Sequence, residues 1–296
     1  MNNILVTGGA GYIGSHIVEL LIKKKYKVFI IDDLSNGYKR LLHNKAKFYK
    51  VDINKYNLVR KIIKKNNIDS VIHLAAKMSV AEAQKNPIKY FENNIMGTLS
   101  LIEACNRCSV KNFIFSSSCS VYKDGYSTIK ENSKTSPKGI YGFTKLIGEE
   151  IVKKYFNNEK KNYGILRYFN VVGSSPSGKI GQIRKDGDWL FKNLSVSLMN
   201  KRSVINVYGN DYNTFDGTCI RDYIHVSDIA DIHIRTLAKI NKTNTSVTFN
   251  CGYGRGLSVL QVINIFKKFT KSKIKIKYEN KRLGDMAKAV CSNEKL

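Results

Sequence analysis

The feature that most constrains this chain is a glycine-rich turn set between an apolar strand and an apolar helix, all within the first 24 residues. Asn3–Thr7 is a short apolar run and reads as a buried strand. Gly8, Gly11 and Gly14 follow at GxxGxxG spacing, and Ser15–Lys24 has helical character. Glycines let the backbone turn tightly and approach a pyrophosphate closely. The helix that follows presents free N–H groups and a positive dipole end. Lys27–Ile31 is a second apolar strand ending at Asp32, eighteen residues after Gly14. A carboxylate at that strand end suits the hydroxyls of an adenosine ribose and repels a 2′-phosphate, so NAD is expected rather than NADP. Asp52, in Val51-Asp52-Ile53, is a candidate adenine contact.

Further strands are expected at Ser70–Ala75, Asn112–Ser116 and Tyr163–Arg167, with helices around Leu58–Asn66, Thr98–Cys108 and Tyr141–Phe156. Strands alternating with helices predict an α/β fold, a Rossmann-type doubly wound parallel sheet. After about Val171 the pattern turns irregular. Gly173–Gly187 reads as a loop, and the later short elements read as a smaller mixed α/β substrate lobe over the sheet's C-terminal edge. The expected division is residues 1–171 as the NAD-binding domain and 172–296 as mainly the substrate lobe, with some segments returning to the first domain.

Composition sets limits on what else the chain does. No run of eighteen apolar residues exists, so a membrane span is not expected, and the N-terminus lacks the pattern of a signal peptide. Six cysteines are too few for a disulfide scaffold in 296 residues. Cys105 and Cys108 form one CxxC without a second pair at zinc-ligand spacing, and they read as buried or half-buried thiols on a helix; no metal site is expected. Reduced cysteines point to the cytoplasm. The net charge of +27 invites a nucleic-acid reading, but 40 of the 50 basic residues are lysines spread along the chain. No specific nucleic-acid partner is expected; a general positive field would help attract an anionic substrate.

Tyr141 and Lys145 form YxxxK, which puts both side chains on one helix face. A nearby ammonium and a nicotinamide's positive charge would favour the phenolate, making Tyr141 a base near neutral pH. Ser116, Ser117 and Ser118 follow an apolar strand, at the sheet edge where open α/β sheets bind ligands.

These motifs carry a resemblance. TGGAGYIGSH, VDI, HLAA, NNIMGT, FSSSCSVY, YGFTK and RYFNVVG occur in the order seen in extended short-chain dehydrogenase/reductases. GNDYNTFDGTCIRDYIHVSDIADIH, from Gly209 to His233, closely resembles the UDP-glucose (UDP-galactose) 4-epimerase family, and the likeness runs from residue 3 to about 286. The resemblance implies NAD-dependent inversion of C4 of a UDP-hexose through a transient 4-keto sugar. It implies Ser118, Tyr141 and Lys145 as the catalytic set, with Ser118 bonding the sugar's reacting oxygen. It implies cofactor contacts from Gly8, Gly11, Tyr12, Ile13, Gly14, Asp32, Asp52, Ile53, Leu74, Ala75, Ala76, Asn93, Ser116, Tyr141, Lys145 and Tyr168. For the nucleotide sugar it implies Ser118 and Tyr141, the phosphate-binding Arg221 and Arg282, Asp285 on the uridine ribose, Asn170 near the phosphates and Tyr208 against uracil. Ala289, four residues after Asp285, falls where the family meets the sugar's C2 substituent; a small residue there leaves room for a 2-acetamido group. A homodimer is also expected.

The chain departs from the family at several points. Asp188-Trp189-Leu190 replaces an Asn-Asn-Leu or His-Leu element. Met78 stands where a lysine touches the cofactor pyrophosphate, with Lys77 one place earlier. Ile140 replaces a proline before the catalytic tyrosine. The sequence ends at Leu296, where the family continues for a helix or two, a segment that covers apolar surface in the smaller lobe. Rival readings are a uronate epimerase or 4,6-dehydratase of the same fold, or a non-catalytic NAD-binding protein. Cys119-Ser120 after Ser118, in place of an Asp-Glu pair, argue against dehydration.

Overall fold

In a computed structural model, which describes residues 3–183, 189–199, 204–282 and 284–296, seven strands form one parallel sheet. They are β1 (Asn3–Thr7), β2 (Lys27–Asp32), β3 (Lys47–Lys50), β4 (Ser70–His73), β5 (Asn112–Ser118), β6 (Asn162–Tyr168) and β10 (Val247–Cys251). Their order is β10-β6-β5-β4-β1-β2-β3, so the chain adds strands outward in opposite senses from β1 and β4, and open parallel sheets bind ligands at such a switch in strand order. Because every pairing is parallel, Gly8, Asp32, Leu74, Ser118 and Tyr168 all lie at one edge.

The helices cover both faces. Helix α1 (Tyr12–Lys23) buries Ile17, Val18 and Leu21, a 3.6-residue stripe, on one face of the sheet. On the opposite face α2 (Tyr56–Lys65) buries Val59, Ile62 and Ile63. That face also carries α3 (Val80–Lys85), α4 (Pro87–Tyr90), a π-helical turn Phe91–Met96, α5 (Gly97–Arg107) and α6 (Ile140–Asn158).

One difference from the sequence reading lies in β5: the expected strand stops at Ser116, whereas the observed strand runs through Ser118, and all three serines are buried. Two segments of the C-terminal half join the main sheet and its covering helices. There β10 pairs with β6, and α8 (Val226–Thr243) packs against α1.

The remaining elements cluster around β9 (Ile220–His225), which pairs with β7 (Asn170–Val172), β11 (Gly256–Ser258) and β13 (Lys288–Ala289). Beside them β8 (Val204–Tyr208) pairs with β12 (Lys275–Glu279), and α7 (Leu190–Met199) and α9 (Val259–Thr270) pack on that pair. Ile265, Phe269 and Met199 remain exposed on these last two helices. Residues 173–183 form neither helix nor strand, as expected; the expected loop's last residues, 184–187, and Asp188 lie outside the described residues. No helix among the described residues is long and apolar enough to cross a membrane.

Two buried histidines make stability pH-dependent. Burial pushes His73 down to about 3 and His233 down to about 4. Below the unfolded value of about 6.5 the unfolded chain takes up protons that the fold refuses, so stability is lost as pH falls from about 6.5. Each histidine is expected to cost about 1.4 kcal/mol between pH 7.5 and 5.5. Urea unfolding of the parent and of His73→Gln at both pH values checks this. The variant's drop should be smaller by about that amount, and an unchanged drop contradicts it.

Candidate active site

The glycine turn is shaped by close backbone approach. Gly8 has φ +74°, and a Cβ there would lie 2.7 Å from the Ala75 backbone nitrogen. At Gly14 a Cβ would meet the Gly8 carbonyl oxygen at 2.2 Å. Gly14 therefore serves packing of helix against turn. Gly11 is the N-cap of α1, with no side chain capping the helix N–H groups and no acidic residue in the first turn. An anion placed there meets unshielded donors. Tyr12 and Ile13 open the helix, and the Tyr12 hydroxyl donates to Gly173 O at 2.6 Å.

A cleft with about 910 Å³ of empty space, open solvent included, runs from this turn along the edge. Gly8, Gly11, Tyr12, Asp32, Asp52, Ile53, Leu74, Ala75, Ala76 and Asn93 line it. Asp32 is buried there. Its Oδ2 accepts from Ala10 N at 3.0 Å and its Oδ1 from Leu34 N at 2.8 Å. Burial pushes its carboxyl up, and these two N–H groups pull it back down. Asp52 Oδ1 accepts from Asn54 N at 2.8 Å. The sequence reading missed the wall formed by Asp33, Ser35, Asn36, Gly37 and Tyr38. Gly37 is required there, since a Cβ would sit 2.7 Å from Asp32 Oδ1. The turn-forming run Leu34-Ser35-Asn36-Gly37 directly after the strand-end acid was the available signal.

Lys77, Met78 and Trp189 also line the cleft, so departures from the family pattern fall on its wall. A bare-backbone turn, an uncapped helix start and a buried strand-end carboxylate together fit a dinucleotide.

A second group gathers at the ends of β5 and β6. Tyr141 and Lys145 lie on α6, which approaches β5 and the turn that follows it closely through glycines. A Cβ at Gly142 would lie 2.3 Å from Ser120 O, and one at Gly148 would lie 2.5 Å from the Phe115 ring. Lys145 Nζ donates to Ser116 O at 2.8 Å and lies 3.5 Å from Ser116 Oγ. Burial pushes the ammonium down to about 7, with Glu149 pulling it back up. Burial pushes the Tyr141 hydroxyl up to about 12, opposed by its hydrogen bond with Ser118. The Lys145 ammonium is bonded to the Ser116 backbone. The phenolate expected from the sequence requires positive charge at this site to offset the burial of the hydroxyl. Ser118 Oγ accepts from Ser120 N at 3.2 Å. Tyr168 is the register partner of Ser118. His233 Nδ1 donates to Ile229 O at 2.7 Å, which leaves Nε2 to accept from the Tyr168 hydroxyl at 2.6 Å.

A third group stands on the β9 sheet. Register places Ala289 beside Arg221 and Asn170 beside Tyr223. Arg221 lies 3.6 Å from Asp285. The Arg282 guanidinium lies 3.8 Å from the Tyr208 ring centroid, a cation–π contact. Ala289 is buried in a cluster with Cys119, Phe169 and Cys291. All six cysteines are free thiols, and Cys105 is buried as expected. Among the described residues no group of His, Cys, Asp and Glu is placed to hold a metal ion.

Comparison with known proteins fits this architecture. The chain belongs to the NAD dependent epimerase/dehydratase family, which it matches over residues 4–252. It is 39% identical over 293 residues to a UDP-glucose 4-epimerase of Lactobacillus helveticus, covering 99% of this chain and 89% of that protein. A UDP-glucose 4-epimerase from Bifidobacterium longum, solved in complex with NAD+ and UDP, superposes with a TM-score of 0.93 at 34% identity, covering 99% of this chain and 91% of that one. A UDP-Glc/GlcNAc 4-epimerase from Campylobacter jejuni superposes with a TM-score of 0.84 at 35% identity, over 100% of this chain and 92% of that one.

Proposed function

We propose that this chain inverts C4 of a UDP-hexose, interconverting UDP-glucose and UDP-galactose. The observation that carries the reading is the convergence of Ser118, Tyr141 and Lys145 on one sheet edge, which the glycine-turn cleft shares. NAD, held along that cleft, supplies reversible two-electron oxidation at C4. Tyr141 takes the proton of the C4 hydroxyl and later returns it, while Ser118 holds the reacting oxygen. Lys145 anchors the nicotinamide ribose and keeps its charge close to the reaction. Arg221 and Arg282 hold the pyrophosphate, Asp285 the uridine ribose, Tyr208 the uracil and Asn170 the phosphates. The division of labour follows the chain loosely: residues 1–171 with α8 and β10 hold the cofactor, and the β9 sheet with its neighbours holds the nucleotide sugar. Cys119 and Ser120 follow Ser118 where a dehydratase would carry an Asp-Glu pair, which argues against dehydration. Purified protein loaded with NAD should equilibrate UDP-galactose with UDP-glucose. Chromatography showing neither product nor equilibration would remove the reading.

Substrate range follows from Ala289. Its methyl stands at the register partner of Arg221, in the cluster that holds Cys119. A close-packed site cannot absorb a phenol there without displacing neighbours. UDP-N-acetylgalactosamine is therefore expected to be a substrate as well. In Ala289→Tyr, and in the milder Ala289→Leu, kcat/KM for the acetylated sugar should fall more than for UDP-galactose. An inactive parent on the acetylated sugar, or an unchanged ratio, contradicts this.

A second copy of the chain is the partner that fits the face carrying Ile88, Met96, Leu99 and Phe143. All four are exposed apolar side chains on α4, the π turn, α5 and α6. Light scattering should return twice the 33.6 kDa chain mass, and Met96→Glu with Leu99→Glu should halve it. A monomeric parent contradicts the assignment. Free thiols throughout support work in the reducing cytoplasm.

A further inference from the structure

Asn94 sits inside the π-helical turn Phe91–Met96 and is 3% exposed. Every bonding position of its amide is used. Its Oδ1 accepts from Lys77 N at 2.8 Å and from Asn93 Nδ2 at 3.0 Å. Its Nδ2 donates to Lys77 O at 3.0 Å and to Thr144 Oγ1 at 3.1 Å. The opposed pair of bonds to Lys77 fixes the amide's orientation, because a flipped amide would set oxygen against oxygen. The Thr144 hydroxyl donates onward to Tyr141 O at 2.8 Å.

The Asn94 backbone makes a second connection. Its carbonyl accepts from Thr98 Oγ1 at 2.6 Å. That hydroxyl's proton is thereby spent, so His73 Nε2 must donate to Thr98, at 3.0 Å. His73 Nδ1 then accepts from the Thr7 hydroxyl at 2.7 Å, one residue before the glycine turn. One buried residue thus joins the strand end before Gly8, the cleft wall at Lys77, the cleft-lining Asn93 and the helix of Tyr141. π turns give up regular helix geometry and recur at functional sites.

We propose that Asn94 is a positioning residue that locks the dinucleotide cleft to the Tyr141 helix. It holds the wall that contacts the cofactor and the hydroxyl that moves the proton in one fixed relation. The leg to Tyr141 rests on the epimerase reading given above; the leg to the cleft does not. Fully satisfied buried networks specify a single arrangement, and one lost partner leaves the others unpaired.

The test uses Asn94→Leu, Thr144→Val and Thr144→Ser in the full chain, each checked for cooperative urea unfolding. NAD is titrated into NAD-free protein by calorimetry, UDP is titrated separately, and kcat and KM are measured. Asn94→Leu should raise the Kd for NAD about tenfold and lower kcat about tenfold, leaving the Kd for UDP within about twofold of the parent. Thr144→Val should lower kcat about tenfold with the Kd for NAD unmoved, and Thr144→Ser should restore it. Should Asn94→Leu not fold, Asn94→Asp, which keeps the shape but not the donors, should show the same losses. Parental NAD affinity in the Asn94 variant overturns the proposal. So does a loss of UDP affinity in step with NAD affinity, which marks a merely structural residue. If the chain binds NAD but epimerises nothing, the NAD titrations still decide the cleft leg while the epimerase reading fails alone.

Discussion

Tyr141→Phe is expected to lower turnover of UDP-galactose by about a hundredfold or more, which corresponds to roughly 2.7 kcal/mol of barrier. The ring is retained, so packing of α6 survives, held by Gly142 against Ser120 in the turn after β5 and by Gly148 against Phe115 in β5. NAD affinity should stay close to the parent's, because phenylalanine keeps the ring and its packing and removes only the hydroxyl. What is lost is the hydroxyl proposed to carry a proton to and from C4. Lys145 cannot substitute, since its ammonium is bonded to Ser116. Steady-state kinetics with calorimetric NAD titration check this, and turnover within about fivefold of the parent would remove Tyr141 from the mechanism.

Arg167→Met is expected to destabilise the protein by about 3 kcal/mol or more. Glu149 is fully buried on α6, and Arg167 on β6 meets it with Nε at 2.8 Å and Nη2 at 2.6 Å. The Ser117 hydroxyl also donates to this carboxylate. Arg167 Nη1 continues to the Tyr122 hydroxyl at 2.7 Å, and that hydroxyl donates to Asn250 Oδ1 at 2.7 Å. Removing the guanidinium leaves a buried carboxylate whose remaining direct contacts among the described residues are Ser117 and the partly exposed Lys153, 3.5 Å away, with the Lys145 charge nearby. Replacing both charges by apolar groups removes the stranded charge, so Glu149→Leu with Arg167→Met should regain much of the loss. Urea unfolding of the single and double variants measures both. A single variant within about 1 kcal/mol of the parent would show that the pair contributes little.

The readable parts of the fold were those encoded locally. The glycine turn, the acid at the end of β2 and the i,i+4 pair Tyr141 and Lys145 each need only neighbouring residues to be recognised. Which later segment joins the main sheet was not legible, because Val247–Cys251 acquires its meaning only by pairing with β6, some eighty residues earlier. The serine triplet was read as following its strand because serine favours turns and caps. In the fold Ser116 meets Lys145 and Ser117 meets Glu149, and these partners from α6 satisfy hydroxyls inside a strand. Tyr141 shows the limit of motif chemistry. YxxxK announces a base, but burial holds the hydroxyl up at about 12 in this structure. Charge brought to the site has to complete the activation.

Deuterium at C4 tests the central claim most directly. NAD-loaded protein is incubated in ordinary water with UDP-galactose carrying deuterium at C4, and the UDP-glucose formed is examined by NMR. The account predicts that the product retains deuterium at C4 with inverted configuration, because the hydrogen leaves and returns within one site while Tyr141 moves only the hydroxyl proton. Loss of the label to water, release of an oxidised sugar, or no conversion by folded NAD-loaded protein would contradict it.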